Sequence, residues 1–228
     1  MRFCLIFLLT FVTLISCKES PKNVTVTDAE NTEVPLSIAE QIASNYGIDK
    51  WKDVSELRFT FNVTSGERRT NRSYIWNTKT QDVVLMNDSN IIQYNRNDNL
   101  DSLQLFADKR FVNDSFWLLS PFKLVWDEGT SISYEDKVIA PISKESLNKL
   151  TIVYSSEGGY TPGDAYDFYY TGDLEIKEWG YRRGNAEEAS MSTSWTKLES
   201  FNGIKLNTRH NDSSGNFELY FTNISVKN

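Results

Sequence analysis

Cysteine, histidine and basic runs are scarce in this sequence, and each scarcity closes off a class of chemistry. The chain has 228 residues, with two cysteines, one histidine and five prolines. Both cysteines, Cys4 and Cys17, fall in the N-terminal stretch, so residues 18–228 carry no thiol. No disulfide framework or Cys-ligated metal can then hold that body together. With one histidine there is no multi-His metal site. His210 lies in Thr208-Arg209-His210-Asn211-Asp212 beside a turn, where it reads as a surface residue rather than the base of a triad. Lys+Arg number 24 against 31 Asp+Glu, a net charge of −7. No basic cluster exceeds Arg68-Arg69 or Arg182-Arg183, so nucleic acid is not an expected partner. There is no Gly-x-Ser-x-Gly elbow, and Gly158-Gly159 lacks the Lys-Ser/Thr of a phosphate loop. The paired acids Asp127-Glu128, Glu135-Asp136, Glu187-Glu188 and Asp164 with Asp167 sit in polar turns and read as solvated charge. Asn211-Asp212-Ser213-Ser214-Gly215-Asn216 lacks the terminal Glu of a calcium loop and reads as a hairpin turn. No catalytic constellation, metal site or cofactor is expected, and the chain does not read as an enzyme.

The N-terminus differs from the rest. Met1-Arg2 is a positive n-region, and Phe3 to Ile15 is an apolar run too short for a permanent span. It ends in Leu14-Ile15-Ser16-Cys17, which resembles the lipobox of bacterial lipoproteins. The resemblance implies a signal peptide over residues 1–16, cleavage after Ser16 and diacylglycerol on Cys17. Residues 17–35 then form a lipidated tether, polar and without apolar periodicity. Lys18-Glu19-Ser20 lacks the Asp associated with inner-membrane retention and partly resembles the export signal of surface lipoproteins in Bacteroidota. The expected location is the outer membrane of a bacterial envelope, with its face left open.

From residue 36 to 228 the pattern is that of one domain. A helix is expected over Leu36 to Tyr46, stopped by Gly47. Leu57, Phe59, Phe61 and Val63 then alternate with Arg58, Thr60 and Asn62, a half-buried strand. Further strands are expected over 69–77, 82–86 and 91–94, with the Val-Val-Leu-Met run of the second buried on both faces. After the centre come short strands at 130–134 and 137–140, then others around Leu150–Tyr154, Tyr166–Tyr170 and Leu174–Tyr181. Ser192–Glu199 should pair with Ile204–His210 through Asn202-Gly203, the strongest hairpin signal present. The last strand changes phase between Phe221 and Ile224, which predicts a bulge at Thr222-Asn223. Aromatics make up 13% of residues, which suits pleated, half-buried surfaces. The count is about eleven strands, antiparallel by their short connections. So many strands require a curved sheet. The expected class is mainly β (α+β), an incomplete barrel with an N-terminal helix and central helices in its concavity.

The centre, Leu100 to Leu119, drops the two-residue period and reads as helix, broken near Asn113-Asp114 and ended by Pro121. Its sequence Phe111-Val112-Asn113-Asp114-Ser115-Phe116-Trp117-Leu118-Leu119, with Pro121-Phe122-Lys123-Leu124, carries a resemblance. So do Thr161-Pro162-Gly163-Asp164-Ala165-Tyr166 and Phe201-Asn202-Gly203-Ile204-Lys205-Leu206. Over residues 36–227 the chain looks like an uncharacterised Bacteroidota lipoprotein family with a LolA/LolB-like half-barrel. LolA and LolB carry lipoproteins by sheltering acyl chains. The resemblance therefore implies binding or carriage of an apolar ligand, an acyl chain or a lipoprotein, with the membrane as partner through the N-terminal lipid. The alternative is a non-catalytic scaffold lipoprotein with a filled core. Aromatic and aliphatic side chains expected to face the concavity are Phe59, Phe61, Trp76, Phe116, Trp117, Leu119, Phe122, Trp126, Tyr154 and Phe168; such residues line apolar pockets and ordinary cores alike. Replacing Cys17 by Ser is expected to abolish incorporation of labelled palmitate and to release the chain from the membrane fraction. Palmitate labelling that persists in this variant would refute the lipobox reading.

Overall fold

Ser37 and Glu40 set the first helix: the Ser37 hydroxyl accepts from the Glu40 N–H, and the Glu40 carboxylate accepts from the Ser37 N–H. This capping box opens helix α1, Ile38–Asn45. The computed structural model describes residues 35–87, 90–157 and 161–228. The signal-like segment, Cys17 and the tether to residue 34 lie outside these residues, as does the Gly158-Gly159 stretch. Leu36–Asn228 form one unit. A short helix α2, Ile48–Trp51, follows α1 through Gly47 at φ +94°. A Cβ on Gly47 would lie 2.1 Å from the Gly203 carbonyl oxygen, so only glycine lets this corner meet the sheet.

Eleven strands follow: β1 Glu56–Ser65, β2 Arg68–Asn77, β3 Asp82–Met86, β4 Ile91–Asn95, β5 Thr130–Ile139, β6 Ser146–Tyr154, β7 Ala165–Tyr170, β8 Ile176–Arg182, β9 Met191–Phe201, β10 Ile204–Asn211 and β11 Phe217–Lys227. They form one antiparallel sheet in the order β4-β3-β2-β1-β11-β10-β9-β8-β7-β6-β5. Helix α3, Ser102–Trp126, joins β4 to β5. These two strands are the opposite edges, and the sheet is open between them. The Asn202-Gly203 turn has both residues at positive φ, +50° and +83°, as a two-residue hairpin requires. The bulge in β11 is where expected: pairing with β1 shifts register between Arg58 and Thr60, and Asn223 stands at φ +53°.

Helix α3 shows the sheet's curvature directly. Its Phe111 ring packs on Tyr74 and Trp76 of β2, and its Phe116 ring on Tyr166 of β7. Six strand steps separate β2 from β7, about 29 Å if flat. A helix about 10 Å across touches both only if the sheet wraps around it.

Four details differ from the sequence expectation. The centre is one helix of 25 residues, unbroken at Asn113-Asp114. Asp114 caps nothing: its carboxylate is fully buried and accepts from Arg72 Nε and Nη2, at 2.6 and 2.8 Å, and from Tyr74 Oη at 2.7 Å. Pro121 lies inside the helix and does not end it. An internal proline costs about 3 kcal/mol. Beyond it, Phe122 and Trp126 pack on Trp51 and on each other, contacts worth about 0.5–1.5 kcal/mol each beyond their buried area, and Phe122 itself is fully buried. Tertiary packing outweighs the local penalty. The two short strands at 130–140 are one strand with a bulge between Glu135 and Val138, where Lys137 takes φ +56°. In β3 only Val83 and Leu85 are fully buried; Val84 and Met86 are half-buried on the other face.

A second ion pair, Arg96 Nε to Asp108 Oδ1 at 2.8 Å, ties α3 to the chain just after β4. The Arg96 guanidinium also lies over the Phe111 ring, 5.2 Å from its centroid. Removing one partner of a buried pair strands the other charge. Asp114→Ala is expected to lower stability by about 3–5 kcal/mol, read as a reduced urea midpoint at similar slope. Glu187→Ala, at an exposed position, should stay within about 0.5 kcal/mol.

Candidate functional site

Along α3, Val112, Phe116, Leu119 and Lys123 recur at helical spacing and form one wall of a groove. Tyr154 of β6, Tyr166 of β7, Trp179 and Tyr181 of β8 and Met191 of β9 form the facing wall. The groove, open to solvent along part of its length, has a volume of about 1010 Å³, at the upper end for small-ligand sites. Lys109 and Arg96 stand toward one end, Asp127 and Glu128 toward the other. From Lys109 to Asp127 the helix advances about 27 Å, so the site is an elongated trough.

Ring contacts build the trough's centre. Phe116 lies 4.8 Å from Tyr166, and Trp117 lies 4.5 Å from Trp179. Tyr166 and Trp179 are stacked, Tyr181 lies almost parallel to Trp179, and Tyr154 meets Tyr166 edge-on. Cross-strand register explains this assembly: Tyr166 faces Tyr181, and Phe168 faces Trp179. The Tyr154 and Tyr181 hydroxyls are engaged, whereas Trp179 Nε1 has no hydrogen-bond partner among the described residues. Tyr154 Oη donates to Asp127 Oδ2 at 2.6 Å, and Lys123 Nζ lies 3.1 Å from Asp127 Oδ1. Tyr181 Oη donates to Asp164 Oδ2 at 2.7 Å. Burial, reinforced by the Asp127 carboxylate, pushes the Tyr154 hydroxyl above its ordinary range. Burial pushes Tyr166 up to about 12. Both phenols stay protonated at neutral pH, and Tyr154 serves as a donor, not a base.

Of the ten residues expected to face the concavity, Trp76, Phe116, Trp117, Leu119, Trp126 and Tyr154 line this trough. Phe59, Phe61, Phe122 and Phe168 do not line it; they are packed inside the core. Phe59 and Phe61 meet Phe221, Phe122 meets Trp51, and Phe168 meets Trp195. Trp179, Tyr181 and Met191 were not foreseen as lining residues. Trp179-Gly180-Tyr181 carried the signal, two aromatics one strand period apart.

The acids are less solvated than their sequence context implies. Asp167 is buried in β7 and accepts from Thr151 Oγ1 and Arg182 Nε. Asp164 accepts from the Gly184 N–H as well as from Tyr181. Glu178 is buried and accepts from the Ile142 and Ser143 N–H groups. These carboxylates hold strands and turns together. Among the described residues no three His, Cys, Asp or Glu side chains are grouped to hold a metal ion. No helix among them is long and apolar enough to cross a membrane.

His210 corrects the sequence reading most sharply. It is fully buried, not on the surface, with its ring 4.6 Å from Trp195, 5.5 Å from Trp117 and 6.1 Å from Phe221. Neither ring nitrogen has a hydrogen-bond partner meeting full geometry among the described residues, and the Asn207 backbone offsets the burial only in part. Burial therefore pushes the imidazole down to about 3.

No protein-family model matches the sequence, and no curated protein matches it. Solved structures similar in layout include a DUF1329 family protein from Desulfovibrio piger, with TM-score 0.44 and 10% identity over 83% of this chain and 92% of that one. A LolA superfamily protein from Nitrosomonas europaea has TM-score 0.42 and 10% identity over 83% and 94%. A domain from Vibrio parahaemolyticus, described as belonging to outer membrane lipoprotein sorting, has TM-score 0.44 and 8% identity over 83% and 93%. Likeness at this level carries neither ligand nor role across to this chain.

The His210 environment generates a pH prediction. The unfolded imidazole takes up a proton near 6.5, whereas the folded one does so only near 3. The unfolded state then binds more protons between these values. The His210 contribution to stability is whole above 6.5 and is lost as pH falls toward 3, at up to about 1.4 kcal/mol per pH unit. Urea unfolding between about pH 4 and 7 should show this slope, and His210→Phe should flatten it. An unchanged slope in the variant would place the proton uptake elsewhere.

Proposed function

We propose that this chain is a lipoprotein of the bacterial envelope, anchored through Cys17 to the outer membrane, that binds or carries an apolar ligand. The ligand class is an acyl chain or an acylated protein terminus. The observation that carries the reading is the elongated trough of about 1010 Å³ between α3 and the aromatic face of β6 to β9. Its walls are mainly aromatic and aliphatic, with Asn113, Ser115 and Thr161 as neutral polar members and charge on Arg96, Lys109, Lys123, Asp127 and Glu128. An unbranched hydrocarbon fits such a shape and exchanges water for ring faces, at roughly 0.8 kcal/mol for each buried CH₂. Cys17 supports the membrane location as a sequence feature, since an acylated terminus holds a chain to a bilayer.

A second reading, a non-catalytic scaffold or interaction lipoprotein, is favoured by the filled part of the concavity. There Trp117, Leu118, Leu119 and Phe122 of α3 are buried. The trough supports the first reading over the second. The chain beginning at Lys18, purified without an acyl anchor, is expected to carry extractable lipid. It should also show saturable, displaceable binding of a fluorescent fatty acid. Val112→Trp, which fills the trough from a half-buried position, should weaken that binding at least tenfold, about 1.4 kcal/mol, at unchanged far-ultraviolet circular dichroism. Absence of both lipid and displaceable signal would favour the scaffold reading.

A further inference from the structure

We propose that the first two turns of α3 form a second membrane-contact surface, which seats the folded body on a phospholipid bilayer. The observation is a set of apolar side chains turned to solvent at one rim. Leu103 is 59% exposed, Phe106 51% and Leu105 41%. Further along the same helix Ala107 and Phe111 are buried. Leu103 and Phe106 are three residues apart and share a helix face. The start of the helix is held firmly: Asp101 accepts from the Leu103 and Gln104 N–H groups, and the Gln104 side chain returns to the Asp101 N–H. The Gln104 amide also reaches the Gln93 carbonyl of β4 at 3.4 Å. Two residues from Gln93 along that edge strand, Ile91 is 67% exposed. A rigid rim bearing four exposed large aliphatic or aromatic groups marks a binding surface.

A bilayer is the occupant that fits, for two reasons. First, the Arg110 guanidinium lies 4.3 Å from the Phe106 ring centroid, and Lys109 is its neighbour. Neither is in an ion pair among the described residues. Apolar tips with cations drawn alongside are the arrangement of a surface lying at the headgroup boundary, where rings and aliphatic groups enter the acyl layer and cations meet phosphate. Second, the length of chain ahead of the described residues keeps a membrane within reach. If Cys17 is acylated, as the proposed anchoring holds, residues 18–34 span at most about 60 Å extended and about 20–25 Å as a coil. A bilayer is then present at high effective concentration, so a weak contact suffices.

The test replaces the acyl anchor, so that it does not depend on Cys17 or on the trough. Among the described residues every buried member of the core lies between Ala39 and Val226, so the chain beginning at Lys18 retains all of them. This chain, with an N-terminal hexahistidine tag, is held on phosphatidylethanolamine–phosphatidylglycerol vesicles containing a nickel-chelating lipid. Leu103→Cys carries an environment-sensitive fluorophore; Ser133→Cys, on the other edge strand, is the reference. The label at 103 is expected to shift to the blue and to be quenched by lipids brominated near the headgroup. The label at 133 should remain as in water. Adding Phe106→Ser and Arg110→Ser should remove the shift and the quenching at 103. A label at 103 as aqueous as that at 133 would overturn the proposal, and so would quenching that survives the paired substitution. Fatty-acid displacement without vesicles reads the trough separately, so failure of one reading is distinguishable from failure of the other.

Discussion

The path of the chain between β4 and β5 constrains everything else in this molecule. These strands are consecutive in sequence yet occupy opposite edges of an eleven-stranded sheet. The connection must cross the whole concave face, and a 25-residue helix advances about 37 Å, enough to do so. The crossing helix gives the inner face something apolar to bury against. It also keeps the edges apart, so the sheet curves without closing. A trough is the geometric remainder, since a single helix is narrower than the space it crosses.

Hydrophobicity does not decide how α3 is rotated about its axis. Its apolar residues fall all around the cylinder, with Phe111, Trp117, Leu118, Leu119, Phe122 and Leu124 buried and Leu103, Phe106 and Trp126 substantially exposed. The ion pairs do decide it. Arg72 grips Asp114 with two bonds, and Arg96 grips Asp108 about one and two-thirds turns earlier. Both acids are buried, so each rotation other than the observed one leaves a carboxylate without its cation. Such pairs add little net stability over an apolar substitute; what they add here is orientation. With the rotation fixed, Phe116, Leu119 and Lys123 face the trough while Phe122 faces Trp51.

This explains which parts of the molecule were legible in the sequence. Strand alternation in Leu57–Val63, the Asn202-Gly203 turn and the phase change before Ile224 are local signals, and each placed its element correctly. The open eleven-stranded sheet followed from counting such signals. Asp114 misled, because Asn-Asp in an apolar stretch has the look of a cap until its distant partner Arg72 is known. Pro121 misled for a similar reason, since its cost is offset by packing against Trp51, far away in sequence. Dividing the aromatics into core and trough needed the rotation of α3, which no local pattern encodes. His210 was misjudged from its turn-flanked setting, while its pairing with Trp195 across β9 and β10 turns it inward.

The pairing of β1 with β11 carries a further consequence, for the timing of folding. Two sheet halves, β1 to β4 and β5 to β11, are built from hairpins between sequence neighbours and can assemble as each is made. The seam between them joins Glu56 to Lys227 and Ser65 to Phe217, contacts between positions more than 150 residues apart. Contacts of such separation slow folding, because chain entropy is lost before they are gained. The seam cannot begin to close before Phe217 has emerged from a ribosome or a translocation pore. Until then the apolar faces of both halves have no lasting cover. Apolar faces exposed during that interval are prone to association with other chains.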